Sequence, residues 1–379
     1  MATITSASTK SAAHLVKVRG APVVYWAALG TAFLCLAAYI WGSWILSPDF
    51  KPSPVGPDPL PHNVWIAIRA VETITTLAII GTLWFFIFRP LVRNGSIGFD
   101  GLLVINFLLM WWTDPMVNYF NFSFMYNAHT VNMGNWAAHI PGWSYPNQQN
   151  LPEPLLMMGG FYISVFILTT LFGCWLLKKT TEKWPSMSMA GSIAILALAT
   201  GTIALVVENA LMRTGIAAYP GVIKSMSLFP NEVYQWPLYE VGCMAFVSTS
   251  FTCLRYFRND KGQTFVEKGI DNLNLSAGKK KLVTFLALAG FIQPFFTFGY
   301  YVPYNLFAIH ADTFPAYPSY MRAEICGEGT QYACPSREWV PIPTRDSKLM
   351  VGPDDPRLPQ EVRNAQGISA SGKDPYASE

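Results

Sequence analysis

The chain has 379 residues, of which 51% are hydrophobic and only 13% are charged, and its mean hydropathy is positive. Soluble domains carry about 25% charged residues, so half of the usual charge is missing and a soluble globular domain is excluded. The net charge of +3 is too small and too spread out to indicate a nucleic acid partner.

Several apolar runs reach the length of about 20 residues that is needed to cross a bilayer. We therefore predict an all-α fold, a polytopic transmembrane helix bundle of about seven spans that occupies residues 22–307. The first apolar run is too long for a cleavable signal, and no small-residue cleavage site follows it. The third span fits a re-entrant hairpin nearly as well as a full crossing. The predicted spans are 23–46, 64–88, 98–116, 155–177, 187–207, 236–254 and 282–307.

The distribution of Lys and Arg predicts the orientation. Fifteen of them fall on one side of the predicted spans, whereas the other side has only Lys51, Arg213 and Lys224 before the C-terminal tail. Because cytoplasmic loops of membrane proteins are enriched in Lys and Arg, the N-terminal segment 1–21 is predicted to be cytoplasmic and the tail 308–347 extracytoplasmic. The membrane is predicted to be a bacterial plasma membrane. Residues 348–379, rich in Pro, Gly, Ser and charge, are typical of a disordered end.

Two cysteines in the predicted tail support this orientation. Cys326 and Cys334 lie in the string CGEGTQYAC, where an oxidising compartment would permit a disulfide. A zinc pair is the alternative, but no matching second pair of ligands follows. We expect the disulfide.

One segment stands out because residues 115–152 carry no Lys, Arg, Asp or Glu, although they are rich in Asn and aromatic residues. This composition suits a loop folded over the mouth of a helix bundle, where amides meet a lipophilic ligand and aromatic rings exclude water. We call residues 117–152 the outer loop and take it as the substrate-binding region. The candidate substrate-binding residues are Asn118, Tyr126, Asn127, Asn132, Asn135, Trp136, His139 and Trp143.

Ionisable residues in or beside spans are functional candidates, because each costs about 2–3 kcal/mol or more to place there. Glu208, Glu240 and Asp114 meet this condition, although Asp114 before Pro115 also fits an ordinary helix stop. His129 is added as a group that titrates near neutral pH, with a loop-anchoring role equally open. Arg69 and Glu72, three residues apart on one helical face, are better explained as a structural ion pair.

The negative findings narrow the chemistry further. His129 and His139 are ten residues apart, which is not a metal motif, and we expect no metal. Nucleotide-binding loops, a serine nucleophile elbow and paired haem-ligating histidines are also missing from the sequence. We therefore expect no cofactor, and either acid–base chemistry or ligand transport.

Four strings in this region resemble the AveC-like spirocyclase family, and the resemblance extends over about residues 60–320. They are WTDP at 112–115, YN at 126–127, NMGNW at 132–136 and HIPGW at 139–143. The resemblance implies an integral membrane enzyme that closes a dihydroxyketone into a spiroketal, with dehydration in the founding members. Its partners would be a lipophilic small-molecule substrate and membrane lipid, and the oligomeric state stays open.

The residues suit this chemistry, which needs one proton delivered and another removed. The hypothesis assigns Glu208 or Asp114 as the acid and His129 or Glu240 as the base. Four asparagines of the outer loop would position substrate oxygens: Asn118, Asn127, Asn132 and Asn135. Two alternatives stay open, namely a transporter or binding protein for a lipid or lipophilic metabolite, and a membrane terpene-type cyclase.

Overall fold

The computed structural model describes residues 21–143, 145, 147–327, 330, 332–334 and 360–365. Residues 1–20 of the predicted N-terminal segment 1–21 and most of the predicted disordered end 348–379 lie outside these residues. Within them the fold is mostly helical, as the sequence predicts. The helices are α1 (Pro22–Ile45), α2 (His62–Asn94), α3 (Phe99–Met110), α4 (Leu155–Lys183), α5 (Met189–Arg213), α6 (Tyr239–Tyr256), α7 (Ala277–Ala308), α8 (Ser319–Arg322) and α9 (Gln360–Ala365).

The connections contain short helical turns and strands. Helix α3 continues directly into a 3₁₀ helix, Trp111–Asn118, and other 3₁₀ turns span Ala137–His139, Gln148–Asn150, Lys224–Met226, Phe265–Glu267 and Ile270–Asn272. There are two antiparallel strand pairs among the described residues, of which the first joins distant parts of the chain and the second is local. They are β1 (Met125–Tyr126) with β2 (Ala217–Ala218), and β3 (Ser227–Leu228) with β4 (Trp236–Pro237).

Local sequence explains where several helices begin and end. Pro22 occupies the first turn of α1, where its missing N–H is not needed. The Ser188 side chain caps α5 by accepting a hydrogen bond from the Gly191 N–H. Gly95 ends α2 in the left-handed conformation that glycine adopts without strain.

Five helices in the described part of the chain are long and apolar enough to cross a membrane: α1, α2, α4, α5 and α7. They correspond to the first, second, fourth, fifth and seventh predicted spans. The third predicted span, 98–116, is the 12-residue helix α3 followed by the 3₁₀ helix. The sixth, 236–254, is α6, which has 18 residues but falls short in apolar character.

One end of the bundle is tied together by contacts between helix termini. Arg255, in the last turn of α6, forms a bidentate ion pair with Asp100 in the first turn of α3, at 2.8 and 2.9 Å. Lys281 of α7 donates to the Ile97 carbonyl, just before α3. The start of α1 joins the same end, because the Val23 N–H donates to the Lys268 carbonyl.

The outer loop and its partners cover the opposite end. The Met125–Tyr126 strand pairs with Ala217–Ala218, which follows α5. Arg69 and Glu72 form the expected ion pair, and both also hold the loop backbone: Arg69 donates to the His129 carbonyl, and Glu72 accepts from the Val131 N–H. Beyond α8, Cys326 and Cys334 form the expected disulfide.

The core lies between α3, α4, α6 and α7 and contains stacked and edge-on aromatic rings. Phe107, Phe166, Phe251 and Phe296 meet with ring centroids 5.2–6.5 Å apart. These side chains are at most 3% exposed. The aromatic core therefore fixes the spacing of the four helices that carry the polar groups described below.

Helices α1 and α7 pack backbone against backbone, which only residues without a side chain permit. A Cβ on Gly30 would collide with the Leu286 backbone, and a Cβ on Gly290 would collide with the Trp26 backbone. Small residues allow this close approach in membrane helix pairs. The pair Gly30 and Gly290 therefore sets the distance between these two helices.

Replacing Gly290 by Ala should destabilise the fold by about 1–3 kcal/mol, because the added methyl group forces α1 away from α7. Thermal unfolding of the detergent-solubilised protein measures this as a lower Tm. Gly42→Ala is the matched control, since a Cβ there meets nothing within 4 Å. It should leave the Tm unchanged or raise it through better helix propensity. Equal effects of the two variants would contradict the close packing.

Candidate functional site

A cavity of about 80 Å³ lies at the covered end of the bundle, between α4, α5, α6, α7 and the outer loop. We call it the central cavity. Its wall is mainly apolar and aromatic, with Phe124, Phe161 and Phe296 among the lining residues. Two carboxyl groups, those of Asp114 and Glu208, also line it.

Asp114 belongs to a buried hydrogen-bond network on one side of the cavity. Its Oδ1 accepts a hydrogen bond from the Tyr162 hydroxyl at 2.7 Å, and its Oδ2 accepts one from the Tyr126 hydroxyl at 3.1 Å. The Glu153 carboxyl group lies within hydrogen-bonding reach of Asp114. Trp111 donates its indole N–H to Glu153 Oε1 at 2.6 Å. Two carboxyl groups so close in a water-poor interior share a proton.

The proton of this pair belongs mainly to Glu153. Burial, together with the neighbouring Asp114 carboxylate, raises the pKa of Glu153 well above its ordinary value. A protonated Glu153 can donate to Asp114, which then accepts three hydrogen bonds in all. The two acidic residues that flank the uncharged run 115–152 are thus brought together, and the whole run closes as a loop between them.

Glu208 is held on another side of the cavity by donors that contact a single oxygen. The Tyr219 hydroxyl donates to Glu208 Oε2 at 2.8 Å, and the Trp236 indole N–H donates to the same oxygen at 3.1 Å. Within the described residues, Oε1 has no protein partner. This oxygen is therefore the one left for a ligand in the cavity.

Glu240 lies behind the wall of the central cavity, in the first turn of α6. Its side chain is fully buried, and the Tyr300 hydroxyl donates to its Oε1 at 2.6 Å. Its Oε2 has no hydrogen-bond partner among the described residues. Glu240 is near enough to Glu208 for the two carboxyl groups to interact electrostatically, so a second carboxyl pair backs this part of the cavity.

Two π-helical turns present two of the four tyrosines that donate to these carboxyl groups, namely Tyr162 and Tyr300. One is Phe161–Val165 in α4, and the other is Thr297–Tyr301 in α7. A π turn holds one extra residue and redirects the side chains around it, and such turns are frequent at functional sites. The Tyr162 and Tyr301 hydroxyls meet at 3.1 Å, whereas the adjacent Tyr300 contacts Glu240. A single turn of α7 therefore contacts both carboxyl clusters.

The sequence-predicted residues divide into two groups. Asp114, Glu208 and Tyr126 line the central cavity, and Glu240 lies directly behind it. The amides of the outer loop are engaged by backbone groups instead: those of Asn118, Asn127, Asn132 and Asn135. In this structure these amides hold the shape of the loop.

Two of the asparagines nevertheless lie next to the carboxyl pair. Asn118 and Asn135 border a second, much smaller cavity of about 10 Å³, which Asp114 and Glu153 also line. This volume is close to the minimum for a single water molecule. A niche of this size adjoins the carboxyl groups of Asp114 and Glu153.

The two histidines lie outside the central cavity. The His129 ring packs 5.7 Å from Tyr320, and burial and the nearby Arg69 lower the pKa of His129. His139 Nε2 lies 3.2 Å from both Ser47 Oγ and Asp49 Oδ2. Both residues therefore connect the outer loop to other segments. Among the described residues, no group of three or more His, Cys, Asp or Glu could hold a metal ion.

The two candidate tryptophans of the outer loop donate to the backbone. The Trp136 indole N–H donates to the Trp112 carbonyl at 2.7 Å, and the Trp143 indole N–H donates to the Tyr145 carbonyl at 2.9 Å. Trp136 also packs against Trp44 of α1 and Trp111, with ring centroids 5.1 and 5.6 Å apart. Its contacts join the loop to the first helix.

Several groups at the cavity were not assigned a role from the sequence: Glu153, Tyr162, Tyr219, Tyr300 and Trp236. Glu153 had a detectable signal, because it is the first charged residue after the long uncharged run. The tyrosines had none, since Tyr residues near predicted span ends are common in any membrane protein.

The family model described as "Spirocyclase AveC-like" matches residues 94–320, which is more than half of the chain. The chain belongs to the AveC-like spirocyclase family. The matched region contains all four clustered carboxyl groups, whereas α1 and nearly all of α2 precede it. No curated protein and no solved structure matches the chain. Membership in the AveC-like family suggests a cyclase role for the chain.

The raised pKa of Glu153 predicts how stability depends on pH. The folded protein holds the Glu153 proton more tightly than the unfolded chain does, so this contribution to stability is fully present below the ordinary value of 4.5. It is lost as the pH rises through the folded pKa. Glu153→Gln cannot ionise but keeps the acceptor for Trp111. Between about pH 5 and 9, its Tm should therefore decline less than that of the wild type.

Thermal unfolding across this pH range measures the difference. Glu232→Gln, at an exposed position, is the matched control and should follow the wild-type profile. Parallel profiles for Glu153→Gln and the wild type would show that Glu153 is not the buried protonated group.

Proposed function

We propose that this chain is a membrane-embedded, cofactor-independent cyclase. It would close a lipophilic dihydroxyketone into a spiroketal, with loss of one water, by general acid–base catalysis. The observation that carries the proposal is the central cavity itself, where Asp114 and Glu208 meet one largely apolar space. Family membership supports a cyclase role for a site of this kind.

Glu208 is the proposed acid. Tyr219 and Trp236 both donate to Oε2, which fixes the carboxyl group and leaves Oε1 to hold a proton toward the cavity. The apolar wall disfavours a negative charge on this group before the proton is transferred. Glu240, behind Tyr300, is assigned a positioning role, because a second buried carboxyl group near Glu208 favours a shared proton.

Asp114 is the proposed base. Hydrogen bonds from Tyr126 and Tyr162, together with the proton held by Glu153, keep Asp114 in place as a carboxylate. Asp114 can accept the proton of a substrate hydroxyl, and it can exchange this proton with the neighbouring Glu153 carboxyl group. His129 has no part in this assignment because it lies outside the cavity.

The reaction balances with these groups alone. One substrate hydroxyl adds to the ketone carbon, and proton transfer gives a cyclic hemiketal of the same mass. Glu208 then protonates the hemiketal hydroxyl, and the C–O bond breaks. Water departs, and the remaining substrate is an oxocarbenium ion. The second hydroxyl forms the new C–O bond to that carbon and loses its proton to Asp114. The net change in the substrate is the loss of one water, and the catalytic groups are restored when the proton on Asp114 returns to Glu208.

The cavity wall favours the cationic intermediate over its hydrolysis. Phe124, Phe161 and Phe296 present ring surfaces that can stabilise a positive charge by cation–π attraction. The same rings exclude bulk water, which would otherwise return the oxocarbenium ion to the open form. Closure to the spiroketal is therefore favoured over reversal.

The proposed membrane setting retains seven spans, with the N-terminus inside and the C-terminus outside. The five long apolar helices support a membrane protein. The ion pair between Arg255 and Asp100 supports placing the start of α3 and the end of α6 on one side, where the positive residues cluster. The cavity would then open toward the extracytoplasmic side.

Replacing Glu208 by Gln or Asp114 by Asn should lower turnover about 10²–10⁴-fold while leaving expression intact, because each removes one general acid–base step. The assay incubates purified protein with an alkyl ketone that carries a hydroxyl group on each arm, spaced to close six-membered rings. Mass spectrometry follows the loss of one water. Glu232→Gln serves as the exposed control.

The outcomes separate the functional classes. Conversion by the wild type and Glu232→Gln, but not by Glu208→Gln, supports the cyclase. Bound but unaltered dihydroxyketone with every protein supports a carrier and contradicts the proposal. Conversion of isoprenoid diphosphates, but not of the dihydroxyketone, would instead favour a terpene-type cyclase.

Surface labelling tests the proposed orientation. In a background without the free cysteines, Val131→Cys in the outer loop should react with a membrane-impermeant maleimide on intact cells. Lys261→Cys, beyond the opposite end of α6, should react only after permeabilisation. Val131 is 42% exposed, and the Lys261 side chain is 67% exposed, so both sites are reachable. The reverse pattern would overturn the orientation.

A further inference from the structure

The central cavity has a neighbour on each of two sides. An outer cavity of about 240 Å³, whose lining includes Arg213, Tyr234 and Tyr317, shares the wall residue Met212 with it. A lateral cavity of about 160 Å³ shares Tyr301 with it. Met212 and Tyr301 are thus the side chains that separate three adjoining spaces.

Their sizes bear on the shape of the substrate. Sites for drug-sized ligands measure about 300–1,000 Å³, and the central cavity of about 80 Å³ falls far below that range. None of the three cavities reaches this range alone, whereas the central cavity and the outer cavity reach it together. A lipophilic substrate whose reacting atoms lie between Asp114 and Glu208 must therefore extend past Met212, past Tyr301 or past both.

The outer cavity contains a cation without a protein counter-ion. The Arg213 guanidinium lies 4.4 Å from the Tyr234 ring centroid and 4.6 Å from that of Phe229. Among the described residues it forms no ion pair and donates no hydrogen bond. The ring contacts restrict the guanidinium, and because Arg213 is exposed its N–H groups can meet solvent or a ligand. The N–H edge of the guanidinium is the part of arginine that binds a carboxylate or phosphate in a bidentate manner.

The lateral cavity has the opposite character. Its lining includes Phe120, Val302 and Leu306, which are 41%, 44% and 57% exposed, and none of its described lining residues is charged. Val302 and Leu306 belong to α7, one of the helices long and apolar enough to cross a membrane. An apolar chain in this space would be in contact with both the central cavity and the proposed lipid surface.

We propose that the substrate is an elongated amphipathic chain with an anionic end group. The anionic end binds the Arg213 guanidinium in the outer cavity, the oxygen-bearing segment lies in the central cavity, and the apolar end occupies the lateral cavity. Met212 and Tyr301 move aside for the chain. This inference rests on the proposed function only for the position of the reacting segment.

Photolabelling tests the proposal without any turnover. The probe is palmitic acid with a diazirine in mid-chain, added to the protein in lipid nanodiscs, and mass spectrometry maps the labelled peptides. Label is expected on peptides that contain Met212, Tyr234 or Leu306. Palmitic acid or hexadecyl phosphate should displace the probe about fivefold more effectively than hexadecanol, the scale of a partly solvated ion pair. The two anions distinguish a carboxylate from a phosphate site.

Two variants, each with a matched control, locate the ends of the chain. Arg213→Gln should remove the preference for anions, and Arg213→Lys should keep part of it. Lys224→Gln removes a positive charge from the segment after α5 at a residue that does not line the three cavities, and it should leave the preference for anions unchanged. Leu306→Trp should fill the lateral cavity and reduce labelling. Phe298 is exposed on the same helix and does not line the lateral cavity, so Phe298→Trp should leave the labelling unchanged.

The proposal fails if hexadecanol competes as well as both anions, if Arg213→Gln labels like the wild type, or if the label maps elsewhere. Asp114→Asn and Glu208→Gln should bind the probe normally. If these variants label normally and also convert the dihydroxyketone as fast as the wild type, the acid–base mechanism is refuted. The proposed binding site for an amphipathic chain would still be supported.

Discussion

The rest of the site depends on one constraint, which is that a carboxyl group removed from water must find hydrogen-bond donors or keep its proton. Asp114 meets this condition through Tyr126, Tyr162 and Glu153, and Glu208 meets it through Tyr219 and Trp236. These donors come from the outer loop, from α4 and from the segment after α5. Satisfying the carboxyl groups therefore requires that distant parts of the chain fold over the same end of the bundle.

This constraint also explains what the sequence could predict. Long apolar runs specify membrane-spanning helices by length alone, and five of the seven predicted spans correspond to such helices in the described residues. Asp114, Glu208 and Glu240 could be identified from the sequence, because placing an ionisable residue in or beside a membrane span costs free energy and usually serves a function. The two remaining predicted spans differ from these helices in separate ways: α3 is apolar but has only 12 residues, whereas α6 has 18 residues and is less apolar because it packs among other helices.

The partners of these carboxyl groups could not be predicted, because they depend on contacts between distant segments. Glu153 meets Asp114 across 38 intervening residues, and the π turn that directs Tyr300 and Tyr301 apart leaves no periodic signal. The asparagines illustrate the converse. Their abundance suggested ligand contacts, yet a long uncharged loop needs many internal donors and acceptors for its own backbone, and amides supply both.

The contact between Gly30 and Gly290 joins a helix outside the family-matched region to one inside it. Residues 94–320 taken alone would expose a groove along α7 that is shaped for another helix. An AveC-like chain that has no counterpart of α1 would be expected to carry a larger side chain at the position of Gly290, or to cover that groove with another subunit. The residue type at the position of Gly290 should therefore indicate whether another helix packs against α7 in a given family member.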